Sequence, residues 1–415
     1  DGVPPMLPVP SVHLYPDEAV SGVNGLASEY FDNPDFEGEP ALKRIDPTVD
    51  FVWKATTPLT GQWGDHFSAY WDGTLVPPSS GTYRLGVDGF SGYKLYVDGE
   101  LFVEYSDIHH PVLKSEEIEF EAGRAYRLRL EFISRGLDPQ VRLLWAPPDI
   151  DYEAQALAVA KNADAIVAVM GLTPRLEGEE MPVKVEGFSG GDRTDIALPR
   201  SQIELLKQLH GLGKPLVLVL LNGSALALPW AADNISAIVE AWYPGQAGGQ
   251  ALADVLFGDY NPSGRLPITF YESVDNLPPF DDYDMEGRTY RYYRGKTLFA
   301  FGHGLSYTTF DFSSLRLDRS RVEAGGRVAA SVDVTNTGAI DGAEVVQLYI
   351  QHPDATVPRP LKELAGFKRV SLEAGERKTL TFELDAQQLG YHDEAMRFAM
   401  HPGSVEVLVG GSSND

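Results

Sequence analysis

The segment Ala165 to Leu172 constrains the fold most strongly, because its run of apolar residues is continuous rather than alternating. Such a run is typical of a parallel strand that is covered on both faces. Two further apolar strands follow, at Pro215 to Leu221 and at Ala237 to Trp242. Because predicted helices alternate with these strands, the sequence predicts a parallel α/β sheet. The predicted helices are Asp151 to Asn162, about 200–211, and Gly245 to Phe257.

The segments on both sides of this sheet have the pattern of all-β domains. In residues 25–147, short β-rich runs are separated by turn signals such as Asp88-Gly89, and Tyr126 to Phe132 alternates between apolar and polar residues. This pattern predicts a β-sandwich. Residues 311–415 predict a second sandwich, of the immunoglobulin or fibronectin III type. Residues 1–20 are Pro-rich and are predicted to be a linker.

The charge of the chain excludes several classes of partner. The 415 residues carry a formal net charge of −26, and the sequence pI is about 4.7. This charge repels phosphates, so neither nucleic acid nor an anionic membrane is an expected partner. Cysteine is absent, which excludes disulfides and thiolate metal sites but leaves the cellular compartment open. No apolar run approaches the ~20 residues that a membrane-spanning helix needs.

The segment that follows the first strand is rich in carboxylates. Its glutamates are Glu177, Glu179, Glu180 and Glu186, and Asp192-Arg193 comes next. Ligands bind at the carboxyl ends of strands in open α/β sheets, so this position suits acid–base chemistry. The residues alone leave a second interpretation open, in which the glutamates form a solvated loop of an acidic protein. Asp192-Arg193 is interpreted as an ion pair that pins the loop, with a substrate clamp as the alternative.

Other motifs predict neither a cofactor nor a metal ion. Gly245, Gly248 and Gly249 precede a helix but lack the GxGxxG spacing of a nucleotide site. Ser224 lacks the GxSxG elbow of a serine hydrolase. The histidines show no metal-binding spacing, and no paired-aspartate pattern indicates calcium. We therefore expect no cofactor and no bound metal.

Several motifs, in order along the chain, resemble those of one enzyme family. Gly171-Leu172, Glu177-Gly178-Glu179 and Asp192-Arg193 resemble the acid/base loop of family 3 glycoside hydrolases, the β-glucosidase and β-xylosidase family. The segment between Glu179 and Asp192 is longer here than in that family. Further matching motifs are Leu221-Asn222-Gly223-Ser224, Ala241-Trp242-Tyr243-Pro244-Gly245-Gln246, Asn261-Pro262-Ser263-Gly264-Arg265, Phe301-Gly302-His303-Gly304 and Lys362-Glu363-Leu364-Ala365-Gly366-Phe367.

The resemblance implies a multidomain architecture. Residues 148–310 are similar to the family's α/β sandwich, built on a mostly parallel sheet, and residues 311–415 to its fibronectin type III-like domain. Residues 25–147 resemble the protective-antigen-like (PA14-type) β-sandwich that some members insert into the α/β domain. Residues 1–24 would then be a linker and the end of the first part of that domain.

The family's N-terminal TIM-like barrel, which holds the nucleophilic aspartate, has no counterpart in this sequence. The chain therefore resembles the second half of such an enzyme. We expect the barrel part as its partner, and we expect residues 1–415 not to form a complete folding unit without it.

The resemblance also implies a chemistry. A retaining glycosidase needs two carboxyl groups ~5–5.5 Å apart, one as nucleophile and one as an acid/base with a raised pKa. The family's motif places the acid/base at Glu179, with Glu177 and Glu180 as alternatives and Glu186 as a structural or rim residue. Phe90 lies in a glycine-containing segment and is interpreted either as a substrate-binding residue that stacks on a sugar or as a core residue.

The leading hypothesis is the C-terminal portion of a retaining, exo-acting β-glycosidase. A β-glucosidase is favoured over a β-xylosidase, and the expected substrates are oligosaccharides and aryl or alkyl β-glycosides. The competing hypothesis is a non-catalytic carbohydrate-binding or adhesive protein built from the two β-sandwiches. A homodimer is left open.

Overall fold

The structure is a computed structural model that describes residues 6–16, 22–53, 58–59, 66–107, 111–135, 139–148, 150–173, 176–177, 185–190 and 192–415. The chain divides into two compact units, Gly2–Ala156 and Leu157–Asp415. Each unit is described by itself below.

The first unit is a β-sandwich. Its strands are β1 (Leu7–Pro8), β2 (Leu14–Tyr15), β3 (Leu26–Phe31), β4 (Leu42–Asp46), β5 (Asp50–Val52), β6 (His66–Leu75), β7 (Gly81–Phe90), β8 (Gly92–Val97), β9 (Glu100–Tyr105), β10 (Val112–Phe120), β11 (Tyr126–Arg135) and β12 (Gln140–Ala146), with a 3₁₀ turn at Ser11–His13. Among the described residues, one sheet has the order β1-β12-β7-β10, with β5 on β12. The other has the order β4-β3-β6-β11-β8-β9, with β2 on β6, and the pairings in both sheets are antiparallel.

The alternation predicted for Tyr126 to Phe132 is confirmed in β11. Its buried residues, which include Leu128 and Leu130, face the core, while Arg127 and Arg129 face outward. The core is strongly aromatic, and this packing accounts for the stability of two sheets without disulfides. Its largest fully buried side chains include Trp71, Tyr30, Tyr83, Tyr93, Phe67, Phe120 and Phe132.

A buried carboxylate fastens one end of this core. Asp46 accepts hydrogen bonds from the Tyr30 hydroxyl (2.5 Å) and the Trp71 indole N–H (2.8 Å) through the same oxygen. Its other oxygen pairs with Arg44 Nε at 2.7 Å. Burial and the Asp46 bond raise the pKa of Tyr30 above its usual range, so the hydroxyl remains a donor.

Two details of this unit differ from the sequence-based expectation. The predicted linker contains β1 and β2, which pair with β12 and β6, and its Val9 and Leu14 are core residues. The predicted turn at Asp88-Gly89 lies inside β7, and the chain bends instead at Ser91, which has a φ of 82° and lies between β7 of one sheet and β8 of the other.

The second unit begins with an α/β part. Its elements are α1 (Tyr152–Lys161, which contains the boundary between the units), β13 (Ile166–Gly171), β14 (Phe188–Ser189), β15 (Asp192–Arg193), α2 (Arg200–Gly211), β16 (Leu216–Leu221), α3 (Pro229–Asn234), β17 (Ala237–Glu240), α4 (Gly248–Phe257) and α5 (Thr289–Tyr292), with a 3₁₀ turn at Val274–Asn276. Three described strands form a parallel sheet in the order β13-β16-β17. The predicted parallel α/β sheet is therefore present.

Within the described residues, the first strand is covered on one face only, and the cover predicted for its second face is not present. In β13 the residues alternate: Ile166, Ala168 and Met170 lie in the core with Leu206 of α2, whereas Val167 and Val169 are 51% and 57% exposed. In the part of the chain that the structure describes, β13 pairs with β16 alone and is an edge of its sheet. The apolar run therefore has one face that the described residues leave uncovered.

The remainder of the second unit is another β-sandwich. Its elements are β18 (Phe310–Leu317), β19 (Val328–Asn336), β20 (Gly342–Gln351), β21 (Glu363–Leu372), β22 (Arg377–Leu384), α6 (Ala386–Leu389), β23 (Tyr391–His392), β24 (Phe398–Ala399) and β25 (Glu406–Gly410). Among described residues, the sheets have the orders β18-β19-β22 and β21-β20-β25. Val334, Val346 and Leu348 are fully buried between them. This arrangement agrees with the predicted immunoglobulin-like sandwich.

Buried polar contacts join this sandwich to the α/β part. Arg265 Nη2 lies 2.6 Å from Glu344 Oε1, and these side chains are only 8% and 6% exposed. The Gln347 amide donates to the carbonyl of Gly302 at 3.1 Å. The Ser413 N–H donates to the carbonyl of Phe301 at 2.9 Å. Polar contacts therefore fix the sandwich to the α/β part.

The buried ion pair should matter far more than an exposed one. Glu344→Gln removes the countercharge and leaves the Arg265 guanidinium buried, which should lower the free energy of unfolding by about 3–5 kcal/mol. The matched control is Glu383→Gln, because Glu383 and Arg327 pair on the surface with side chains 69% and 71% exposed. The control should change stability by less than about 1 kcal/mol. Urea unfolding followed by tryptophan fluorescence measures both, and equal effects would contradict the assignment.

Candidate active site

The loops that leave the sheet bring polar side chains together at one edge. β13, β16 and β17 are parallel and in register, so their carboxyl ends, at Gly171, Leu221 and Glu240, lie side by side. The residues that follow each strand meet there. This is the edge at which ligands bind in open α/β sheets.

Gly171 determines how the first loop leaves the sheet. It has a φ of 141°, and a Cβ atom at this position would overlap the carbonyl oxygen of Leu221. The side-chain amide of Gln202, on α2, donates to the Gly171 carbonyl and accepts from the Gly171 N–H, both at 2.8 Å. The helix therefore fixes both backbone groups of the residue from which the glutamate loop starts.

Glu177 is held by residues from both neighbouring loops. One carboxylate oxygen accepts from the Ser224 hydroxyl at 2.8 Å, and the other accepts from the Tyr243 hydroxyl at 2.5 Å. Burial and the bond to Glu177 raise the pKa of Tyr243, which keeps its hydroxyl protonated. Gly223 makes this approach possible, because a Cβ there would lie 2.8 Å from the Tyr243 ring.

Arg193 fastens the returning end of the same loop. Its guanidinium donates to the Ser224 hydroxyl at 2.9 Å and to backbone carbonyls, at 3.1 Å for Ala225 and 3.3 Å for Ala197. Burial lowers the pKa of Arg193, and the charges of Glu177 and Asp195 oppose that shift. Arg193 thus pins the loop through neutral oxygens rather than through the predicted ion pair, and Asp192 is exposed.

Sequence reasoning missed Glu240, at the end of β17. Its oxygens accept from the Trp242 N–H at 3.1 Å and from the Asn222 side-chain amide at 3.2 Å. Burial raises its pKa to about 7, and these two hydrogen bonds oppose the shift. Trp242 itself has a φ of 54°, which is unusual for a non-glycine residue. The available signal was a carboxylate directly after the apolar run Ala237–Val239.

The other predicted site residues differ in whether they are described and in how exposed they are. Glu179 and Glu180 lie outside the described residues. Glu186 is described and exposed. Phe90 lies in the first unit, half-buried at the end of β7, and is not among the residues of the core.

Within the described residues, no group of three or more histidine, aspartate or glutamate side chains is placed to hold a metal ion. No described helix is long and apolar enough to cross a bilayer.

The raised pKa of Glu240 predicts a dependence of stability on pH. Its folded-state pKa of about 7 lies above the usual 4.5, so the native state favours the protonated form. Its contribution to stability is therefore complete below about pH 4.5 and is lost as the pH rises through 7. Glu240→Gln keeps the neutral shape and should gain stability relative to the native chain between these pH values, with no further gain above them.

Urea midpoints measured from pH 4.5 to 8 check this expectation. The control is Glu121→Gln, at a side chain that is 74% exposed, and its difference from the native chain should stay constant with pH. A constant difference for Glu240→Gln as well would contradict the buried, proton-holding carboxyl.

Comparison with known families gives two matches. The model of the glycosyl hydrolase family 3 C-terminal domain matches residues 27–307. The model of the fibronectin type III-like domain matches residues 344–413. The predicted family resemblance and the predicted fibronectin-like end of the chain are thereby confirmed.

Similar proteins include a xylan 1,4-beta-xylosidase of Xylanibacter ruminicola, 38% identical over 95% of this chain and 46% of that protein. A periplasmic beta-glucosidase of Salmonella typhimurium is 42% identical over 62% of this chain and 34% of that protein. Among solved structures, a beta-glucosidase from Kluyveromyces marxianus matches with a TM-score of 0.71 and 28% identity, over 96% of this chain and 50% of that one. The chain thus spans about half the length, or less, of these relatives.

Proposed function

The chain belongs to glycosyl hydrolase family 3, and from that membership we propose that it is the C-terminal portion of a retaining, exo-acting β-glycosidase. A β-glucosidase is the favoured activity, with a β-xylosidase as the runner-up, because relatives with both names match. Its substrates would be oligosaccharides and aryl or alkyl β-glycosides, cleaved at the non-reducing end. The observation that carries the proposal is the glutamate loop anchored at the carboxyl edge of the sheet.

We assign the general acid/base to Glu179. Glu177, two residues earlier, has both oxygens engaged by Ser224 and Tyr243, so its carboxylate suits an anchoring role. Such an anchor holds the start of the loop against the sheet edge. Glu177 itself and Glu180 are the alternatives for the acid/base role.

The nucleophile would come from a barrel portion that this chain does not match. Two observations support this. This chain aligns with two relatives over 95% and 96% of its own length, but it covers only 46% and 50% of theirs. The apolar face of β13, with Val167 and Val169, is exposed at the sheet edge that the proposed partner would cover. Two carboxyl groups ~5–5.5 Å apart would then meet across the interface.

The first sandwich would be a PA14-type insertion into the α/β domain. We propose the borders 25–147 for the insertion, 148–310 for the second part of the α/β domain and 311–415 for the fibronectin-like domain. Residues 7–15 would join the insertion, because β1 and β2 pair within its sheets. In this arrangement Phe90, which is half-buried, would contribute an outer sugar subsite.

The acid/base assignment predicts a leaving-group effect. Glu179→Gln, in the chain combined with its barrel portion, should lower kcat on cellobiose by about 10²–10⁴-fold. The loss should be much smaller for 4-nitrophenyl β-glucoside, whose leaving group needs little protonation. The control is Glu186→Gln, at an exposed glutamate of the same loop, and it should leave both rates unchanged. Equal losses on both substrates, or near-normal rates, would remove Glu179 from the acid/base role.

The subsite assignment predicts a dependence on substrate length. Phe90→Ala should raise KM for cello-oligosaccharides more than KM for 4-nitrophenyl β-glucoside, because only the longer substrate would reach the ring. Leu113→Ala is a suitable control, since Leu113 is an exposed apolar residue of the same sandwich. If Phe90→Ala changes both values equally and lowers the thermal midpoint, the ring has a packing role instead.

A further inference from the structure

The first unit has a groove on the outer face of one sheet. Its volume is about 290 Å³, just below the range of about 300–1,000 Å³ for small-molecule sites. It is open to solvent along the sheet surface and lies on strands β6, β8 and β11. Its lining residues are Asp72, Tyr96, Gly99, Arg127, Arg129 and Glu131.

The strand register places the central residues of this groove in one row. Arg129 of β11 lies directly opposite Asp72 of β6 on one side and Tyr96 of β8 on the other. Arg127 and Glu131 are two residues away from Arg129 on the same strand, so they share its face. Rigid antiparallel strands therefore hold the polar groups, which gives a site with little to reorganise on binding.

Ion pairs fix the guanidinium groups in the groove. Arg127 Nη2 lies 2.8 Å from one Asp72 oxygen, and Arg129 Nη1 lies 3.5 Å from the other. Arg129 Nε also pairs with Glu131 at 2.8 Å, and its guanidinium stacks over the Tyr70 ring at 4.2 Å. A guanidinium has five N–H donors, so these contacts leave further donors for a ligand. The carboxylates retain acceptor capacity in the same way.

The charges of the groove balance, which restricts the ligand class. Two arginines face one aspartate and one glutamate, so the formal charge of the lining is zero. The chain as a whole carries −26 and therefore repels anions. A neutral ligand that both donates and accepts hydrogen bonds fits these groups best.

The groove also offers an apolar surface beside the polar row. Tyr96 is half-buried, and Leu101, which lies opposite it on β9, is 50% exposed. A ligand with hydroxyl groups at its edge and an apolar face would contact both kinds of surface. Pyranose rings have this combination, and an open groove admits an internal stretch of a sugar chain.

We propose that this groove binds a neutral oligosaccharide, at a site on β6, β8 and β11 that does not include Phe90. The shape and the polar groups of the groove do not depend on the proposed function. The choice of sugar probes does rest on that function. The site would hold a glycan chain on the sandwich without taking part in its hydrolysis.

Isothermal titration calorimetry of the full chain tests the proposal. The neutral probes are cellohexaose and xylohexaose, and hexagalacturonate is the anionic probe. Tyr96→Ala and Arg127→Leu should each weaken binding of a neutral probe about tenfold, as expected for loss of a stacked ring or of a charge-assisted hydrogen bond. Lys43→Ala, at an exposed residue of the same sheet outside the groove, should bind like the native chain. Thermal midpoints show that the variants are folded, and Arg127 is mostly exposed, so that variant should fold even if Tyr96→Ala does not.

The outcomes separate this proposal from its alternatives. No binding of either neutral probe, or equal binding by all variants, would overturn it. Tighter binding of hexagalacturonate would overturn the neutral ligand class. Loss of binding in Phe90→Ala but not in the groove variants would move the site to Phe90. Because the readout is binding without turnover, it does not depend on the result for Glu179→Gln.

Discussion

The close contact between Gly171 and Leu221 is the constraint on which the candidate site depends. Two parallel strands end side by side, and the chain leaves one of them over the last carbonyl of the other. Any side chain at Gly171 would push the strand ends apart. The Gln202 side chain then forms hydrogen bonds with both the N–H and the carbonyl of Gly171. This one glutamine therefore connects α2 to the sheet edge at the residue where the glutamate loop begins. The position of Glu177 follows from this exit.

The site has two layers of different character. Nearest to the sheet, Asn222 is fully buried and Glu240 is half-buried, and the burial of Glu240 favours its protonated carboxyl. Further out, Glu177 is surrounded by donors from Ser224 and Tyr243. Burial raises the pKa of a carboxyl group. The sheet edge thus carries one carboxyl group whose surroundings favour the proton, beside another that anchors the loop through its hydrogen bonds.

Much of the fold was predictable from apolar periodicity. The predicted helix at about 200–211 is α2, and the predicted strand Pro215 to Leu221 contains β16, because both have strong patterns. β4 was missed, since most of its side chains are exposed and it lacks alternation. Asp88-Gly89 was misread as a turn. A Cβ at Gly89 would lie 2.7 Å from the Tyr93 ring, so packing rather than chain reversal explains this glycine.

The sequence predicts which kinds of side chain form the candidate site, but not which residues contact each other there. The loop's carboxylates are visible in the sequence, but the partners of Glu177 are 47 and 66 residues away along the chain. No local pattern shows that Ser224 and Tyr243 converge on it, nor that Arg193 turns to carbonyl oxygens. Glu240 escaped notice because a single glutamate after an apolar strand resembles an ordinary strand end, and burial alone makes it unusual.

The contact between Ser413 and Phe301 has a consequence for biosynthesis. These residues are 413 − 301 = 112 positions apart, yet their backbone hydrogen bond joins the fibronectin-like sandwich to the α/β part. At about 5–20 residues per second, a ribosome makes Ser413 on the order of ten seconds after Phe301. The apolar face of β13, with Val167 and Val169, is therefore synthesised well before the contact between Ser413 and Phe301 can form.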